Sequence, residues 1–227
     1  KELSMKSRIL FGVAIVAAAC FAPAGAEVIF DNGDTITFGG LPGVDPLFMP
    51  TDNFALQGGA STISEFHWIG YYSGDPIEKD VPLGDFTVYI FADNSGSPGS
   101  QLFTFNDAVT ATATGTSQFG VLPEYEYVMN IDPLALNAGT AYWIGIVNNI
   151  TVPSKGLIEI PDVWFWSLSN VQTGDAHQKL VTAWIDANVE LAFELQGPGV
   201  VPEPATMTLL GAGIVALAAR RRLMRGK

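Results

Sequence analysis

The middle of the chain consists of short runs in which apolar and polar residues alternate, separated by turn residues. Residues 86–91, for example, place Phe86, Val88 and Ile90 on one face and three other side chains on the opposite face. A period of two is typical of β-strands, and the 3.6-residue period of a helix is nearly absent. The pattern predicts ten strands, at residues 54–57, 62–72, 86–91, 101–105, 109–114, 125–131, 141–147, 163–168, 180–185 and 189–195.

The strand pattern also predicts how the strands are arranged. Residues 141–147 are apolar on both faces, which predicts a central strand that is covered on both sides. Many short strands with frequent turn signals predict an all-β fold, an antiparallel jelly-roll-like β-sandwich. Gly197 and Pro198 are poor strand residues, so the last strand is expected to end before them. The predicted sandwich domain therefore spans residues 27–196.

The first 26 residues have the pattern of a signal peptide. Lys6 and Arg8 are followed by an apolar run at residues 9–21, and then by the small residues Ala24 and Ala26. A basic start, a short apolar stretch and a small-x-small site are the three parts of an export signal. The pattern predicts a signal-peptide helix, delivery by the export machinery and cleavage after Ala26. Residues 1–4 precede the first methionine and are interpreted as upstream sequence.

The C-terminal residues combine three features in a fixed order. The first is a Pro-Glu-Pro motif, the second an apolar stretch at residues 205–219, and the third an arginine cluster; the motif and cluster residues are Pro202, Glu203, Pro204, Arg220, Arg221, Arg222 and Arg225. About 20 apolar residues are needed to cross a bilayer, so the span is marginal. The pattern predicts a linker at 197–204, then a single transmembrane helix and basic tail at 205–227, with the arginines on the cytoplasmic side. An ordinary tail anchor is the alternative.

These three C-terminal features resemble the PEP-CTERM sorting signal of Gram-negative bacteria. The resemblance implies that an exosortase, a membrane enzyme, recognises the tail and cleaves near the Pro-Glu-Pro motif. It further implies a precursor anchored in the inner membrane, followed by release to the cell envelope or the extracellular space. Residues 91–99, 139–146 and 164–166 also resemble the sandwich domains that such proteins often carry, a resemblance that brings no established activity.

Charge and cysteine content exclude several classes of function. Residues 27–200 contain 21 acidic residues, three lysines and no arginine, a net charge of about −18. Such a domain repels phosphate backbones, so nucleic-acid binding is not expected. Cys20 is the only cysteine and lies in the predicted signal peptide. The exported domain would then have no thiol for a disulfide, a metal site or catalysis.

Two groups of residues are candidate binding sites. Exposed aromatic rings can stack on sugars, which makes Trp68, Trp164 and Trp166 a candidate platform; burial in the core is the simpler interpretation of such large rings. Trp164 and Trp166 should share a face because they are two residues apart. The second group is Asp93, Asn94 and Ser95, which belong to a loop with oxygen-bearing side chains that could bind Ca²⁺. The alternative there is a hairpin turn, in which these residue types are common.

The sequence carries no recognisable catalytic motif. His67 and His177 are its only histidines, they are far apart, and no nucleophile motif accompanies them. We therefore expect an exported, non-enzymatic protein without a cofactor, with a structural or adhesive role at the cell surface or in the extracellular matrix. A carbohydrate-binding or Ca²⁺-dependent lectin-like module is the alternative, in contact with extracellular polysaccharide, and a secreted hydrolase is the third hypothesis.

Overall fold

The domain is built from β-strands. In a computed structural model, the described residues are 26–44, 48–56, 62–74, 84–149, 163–171, 174–198 and 213. They contain thirteen strands: β1 (Ala26–Asp31), β2 (Thr35–Pro42), β3 (Phe48–Ala55), β4 (Thr62–Tyr72), β5 (Phe86–Asp93), β6 (Pro98–Phe105), β7 (Val109–Gln118), β8 (Leu122–Ala135), β9 (Ala141–Asn148), β10 (Trp164–Ser169), β11 (His177–Leu180), β12 (Ala183–Asp186) and β13 (Phe193–Pro198).

Strand β4 is the centre of a seven-stranded sheet. One side of β4 pairs with β8, and β8 pairs in turn with β7. Two strands pair, one after the other, with the other side of β4. Strand β13 pairs with residues 65–68 of β4, and β10 pairs with residues 70–72. Outside these two strands lie β1 and β2, respectively. The shared side leaves a junction beside Ile69, where β13 gives way to β10.

The second sheet has six strands in the order β12-β11-β3-β9-β5-β6. All pairings between the named strands of both sheets are antiparallel. Strand β9 lies between β3 and β5, and seven of its eight residues are buried. The prediction of a central strand covered on both faces is therefore confirmed.

The two sheets face each other across an aromatic core. The first sheet contributes Phe66, Trp68 and Tyr127, and the second contributes Phe86 and Ile144, all at most 2% exposed. The Trp68 and Tyr127 rings stack with their centroids 5.6 Å apart, and Phe86 packs edge-on against Trp68. The predicted all-β, antiparallel sandwich is confirmed. Its jelly-roll connectivity stays a prediction.

Two strand predictions need correction. Residues 180–185 do not form one strand, because Val181 adopts a left-handed φ of 58° and turns the chain between β11 and β12. The last strand does not end at 196: Gly197 pairs with Glu27 and Pro198 with Ala26. A Cβ on Gly197 would lie 2.5 Å from the Thr62 carbonyl oxygen, so glycine here permits close approach of the backbones.

The chain separates into two compact units. One is Ala26–Pro198, the sandwich; the other comprises Lys1–Gly25 and Gly199–Lys227. Apart from Gly213, the second unit lies outside the described residues, and with it residues 1–25 of the predicted signal peptide, the rest of the predicted transmembrane helix, the Pro-Glu-Pro motif and the arginine cluster. Ala26, the last residue of the predicted signal peptide, is described and begins β1. Within the described part of the chain, no helix has the length and apolar character needed to cross a membrane.

Candidate functional site

A cleft opens at the junction where β13 gives way to β10 beside β4. Its volume is about 210 Å³. The turn after β1 closes one side of it, and strands β4, β8 and β13 form the rest. The lining residues are Asp31, Gly33, Asp34, His67, Trp68, Ile69, Glu126, Ala192, Phe193 and Glu194. We call this the junction cleft.

His67 lies at the centre of the ionisable groups of the junction cleft. Side chains alternate along β4, so the inward Trp68 leaves His67 on the outer face. Its Nε2 is 3.1 Å from Glu65 Oε2, and its Nδ1 is 3.4 Å from Glu126 Oε1. Glu194 of β13 is paired directly with His67 in the sheet. An imidazole can donate to two carboxylates at once only when both of its nitrogens carry protons.

The lining limits the chemistry available to the junction cleft. Its carboxylates attract cationic groups and repel anions. Its ten lining residues include no serine, threonine or cysteine, so they supply no hydroxyl or thiol nucleophile. Throughout the described residues, no three histidine, cysteine or acidic side chains are grouped so that they could hold a metal ion.

The predicted sugar-binding tryptophans are in the core. Trp68, Trp164 and Trp166 are each 0% exposed. The prediction that Trp164 and Trp166 share a face is confirmed, but that face is the inner one, and Trp166 donates from Nε1 to the Ala192 carbonyl over 2.9 Å. A ring with no exposed surface cannot stack on a sugar, so the predicted platform is wrong. Alternation shows that two residues share a side but does not identify that side.

The predicted calcium loop forms a hairpin turn between β5 and β6. Asp93 Oδ1 accepts hydrogen bonds from the Gly96 N–H at 3.1 Å and from the Trp143 indole N–H at 2.9 Å. Ser95 and Gly96 have left-handed φ angles of 57° and 83°. Asp93 therefore accepts hydrogen bonds that hold the turn, and Asn94 and Ser95 occupy turn positions. The arrangement favours the hairpin alternative over a Ca²⁺ site.

Two exposed phenyl rings form a surface feature that the sequence pattern did not predict. Phe38 in β2 is 67% exposed, and Phe119 in the turn after β7 is 53% exposed. Their ring centroids are 6.0 Å apart, with an angle of 68° between the planes. Behind Phe119, Tyr71 stacks on Phe165 at 5.3 Å. We call Phe38 and Phe119 the aromatic ledge.

A buried polar network fixes Phe119 in place. Gln118 donates from Nε2 to Glu124 Oε1 at 2.7 Å, and its own Oε1 accepts from the Gly39 N–H. Glu124 also accepts from the Ser167 hydroxyl at 2.7 Å. Phe119 has a φ of 54°, a strained conformation for a non-glycine residue that persists only when its surroundings enforce it. The pKa of Tyr71 is raised, mainly by burial and secondly by the negative charge of the nearby Glu124.

A second buried acidic group links the two sheets. Asp52 of β3 and Glu190 are 0% and 3% exposed. Asn32, after β1, donates from Nδ2 to both carboxyl groups at 3.0 Å, and the Leu191 N–H donates to Asp52 at 2.7 Å. Burial, and then the charge of Glu190, raises the pKa of Asp52 well above its usual range. Both carboxyl groups are buried, so a substrate has almost no surface through which to reach them.

Comparison with known protein families yields one match, at the C-terminus. The model of the PEP-CTERM protein-sorting motif matches residues 200–222. The chain carries a PEP-CTERM sorting motif. The match includes the Pro-Glu-Pro residues and Arg220 to Arg222, and Arg225 lies three positions beyond it. This motif is the signal of exported proteins that an exosortase recognises and processes at the membrane. No curated protein is similar enough to the chain to count as a match.

Proposed function

We propose that this PEP-CTERM protein is a non-enzymatic, structural or adhesive component of the cell surface or extracellular matrix. The observation that supports the export and processing in this proposal is the position of the sorting motif: it begins at residue 200, two residues after the compact sandwich ends at Pro198. A signal at that position can be removed without disturbing a strand. In this scheme residues 205–227 hold the precursor in the inner membrane until cleavage near Pro202, Glu203 and Pro204.

The sorting step is tested in a host that contains an exosortase. Replacing Glu203 with glutamine, or deleting Arg220 to Arg222, should cause the larger precursor to accumulate in the membrane fraction, because the enzyme no longer recognises or retains its substrate. Immunoblots of membrane and medium fractions measure this. Lys227→Gln, which lies beyond the matched residues, is the control and should be processed normally. Unchanged processing of both altered precursors would refute the mechanism.

The structural or adhesive role has a separate test. Deleting the gene should reduce cell aggregation or attachment, and the full-length protein should restore it. A version that ends at Pro198 should be exported but should fail to restore attachment if retention by the sorting signal is needed. Turnover of glycoside or ester substrates by the purified protein would contradict the non-enzymatic role and favour the secreted hydrolase.

Carbohydrate binding is the second candidate, favoured by the aromatic ledge. Exposed rings held rigidly can stack on sugar faces, and Phe119 is held by the Gln118–Glu124 network. Since the domain is strongly acidic, its ligand would be a neutral or amino-bearing polysaccharide. On a glycan array, Phe119→Ala should lower binding about tenfold or more, equivalent to about 1.4 kcal/mol. Leu180→Ala, a change at another exposed apolar residue, is the control.

The same array also tests the lectin-like alternative. Binding that requires added Ca²⁺ would support a Ca²⁺-dependent, lectin-like site. Binding that a chelator does not affect would support recognition by the aromatic ledge without a metal ion. If no glycan binds, or if the control variant loses as much binding as Phe119→Ala, carbohydrate recognition by the ledge is ruled out.

A further inference from the structure

Two edge strands, one from each sheet, follow each other along the chain. Strand β7 is an edge of the seven-stranded sheet, and β6 is an edge of the six-stranded sheet. The chain passes from Phe105 at the end of β6 to Val109 at the start of β7 through three residues. Among the described residues, no strand pairs with the outer side of either one. We call these two strands the β6–β7 flank.

Within the part of the chain that the structure describes, the β6–β7 flank lacks the protection that other sheet edges have. Proteins usually block exposed edges with charges, short strands or covering segments. Strand β1 carries Glu27 and Asp31, and β12 has only four residues. The edge of β2 is covered, because the Thr37 carbonyl accepts from the Phe119 N–H. By contrast, Asp107 is the only charged residue in positions 98–118.

The sandwich interior also reaches the surface at this flank. Phe105 points inward and packs on the buried Phe66, with centroids 5.3 Å apart. Phe103 is two residues away, faces the same side and stacks on Phe105, yet it is 39% exposed. Its neighbour Leu102, at a bulge, is 43% exposed. The flank therefore combines open backbone groups with uncovered apolar side chains.

The regular part of the open edge is short and well defined. The pairing register between β7 and β8 shifts after Ala113, where Gly115 has a φ of 83°. At the other end, a Cβ on Gly84 would lie 2.8 Å from the Val109 carbonyl oxygen, so the backbone at Gly84 covers the start of β7. The run of β7 that is regular, and that no described residue covers, is residues 110–113.

We propose that a second copy of this chain docks on the β6–β7 flank, with β7 paired antiparallel to β7 across a two-fold axis near Thr112. Two identical edges are complementary in this arrangement, because each presents the N–H and C=O groups that the other needs. Low charge favours docking on this surface. The domain as a whole is strongly acidic, whereas Asp107 is the only charged residue in positions 98–118, and the carboxylate paired with Thr112 is that of Glu126 on β8. The inference goes beyond the proposed function, because it concerns assembly of the purified protein.

The test is the dissociation constant of the dimer, measured by sedimentation of the full chain in a mild detergent over a range of concentrations. Thr112→Lys should raise that constant about tenfold or more, because two lysines would meet at the axis. The variant should still fold, since Thr112 is paired with Glu126 of β8, and the lysine would have the opposite charge to Glu126. Phe103→Glu, a second variant on the flank, should weaken the dimer as well.

Ile185→Lys is the matched control. Ile185 is an exposed apolar residue, 48% accessible, on the edge strand β12 of the six-stranded sheet. It should leave the dissociation constant unchanged. A chain that stays monomeric at all concentrations would overturn the proposal. It would also be overturned by a dimer that Ile185→Lys weakens as much as Thr112→Lys, or by one that neither flank variant affects.

Discussion

At the scale of single residues, Asp52 makes the stability of the domain depend on pH. Burial and the charge of Glu190 raise its folded-state pKa, so the folded protein holds a proton that the unfolded chain releases at lower pH. The resulting stability is fully present below the usual aspartate pKa and is lost as the pH rises through the raised value. The free energy of unfolding should therefore fall with rising pH, by at most about 1.4 kcal/mol per unit.

This dependence is measured by urea unfolding at a series of pH values. Glu190→Gln should flatten the decline, because it removes the charge that opposes ionisation of Asp52. Asp132→Asn, at an exposed position in β8, is the control and should retain the wild-type slope. If Glu190→Gln leaves the dependence of the unfolding free energy on pH unchanged, a group other than Asp52 takes up the proton.

The residues that form these sites were only partly predictable from the sequence. For the tryptophans the sequence left both a surface platform and burial in the core open, because alternation does not distinguish the inner face from the outer one. Glu124 and Asp52 were not recognised, since a buried carboxylate looks like a solvated one until its partners are known. Gln118 and Asn32, which provide those partners, are 6 and 20 positions away. Such contacts are set by sheet pairing and leave no local pattern.

At the scale of strands, success followed the local density of strand-forming residues. Strand β4 was predicted with its observed bounds, Thr62–Tyr72, because aromatic and β-branched residues are concentrated in it. Strands β1 and β2 were missed. Strand β1 has only six residues, and the eight-residue β2 contains two adjacent glycines, which are poor strand formers. Strand β3 was mostly missed because Pro50 and Asp52 interrupt its pattern. In each case pairing with neighbours outweighed local propensity.

At the scale of the whole molecule, excess negative charge opposes the compact state. Residues 27–200 carry 21 acidic residues and three lysines, and their mutual repulsion is released on unfolding. Salt screens this repulsion, since the Debye length falls to about 8 Å at physiological ionic strength. Raising NaCl from about 0.02 M to about 0.2 M should stabilise the purified chain by on the order of 1 kcal/mol, or about 2–4 °C in Tm. Differential scanning calorimetry measures the shift.

The identity of the cation separates general screening from specific binding. Mg²⁺ and Ca²⁺ at equal concentration screen the surface alike, so they should raise Tm by the same amount. A built calcium site would instead give a larger, saturable effect for Ca²⁺, because its cavity and ligand number suit the larger ion. Asp93 already accepts hydrogen bonds from Gly96 and Trp143, so we expect equal shifts. An excess for Ca²⁺ that Asp93→Asn abolished would contradict this and place an ion at the β5–β6 turn. Equal shifts in Tm would indicate that the negative charge has a general role. It would repel other copies of the domain except where a surface carries little charge.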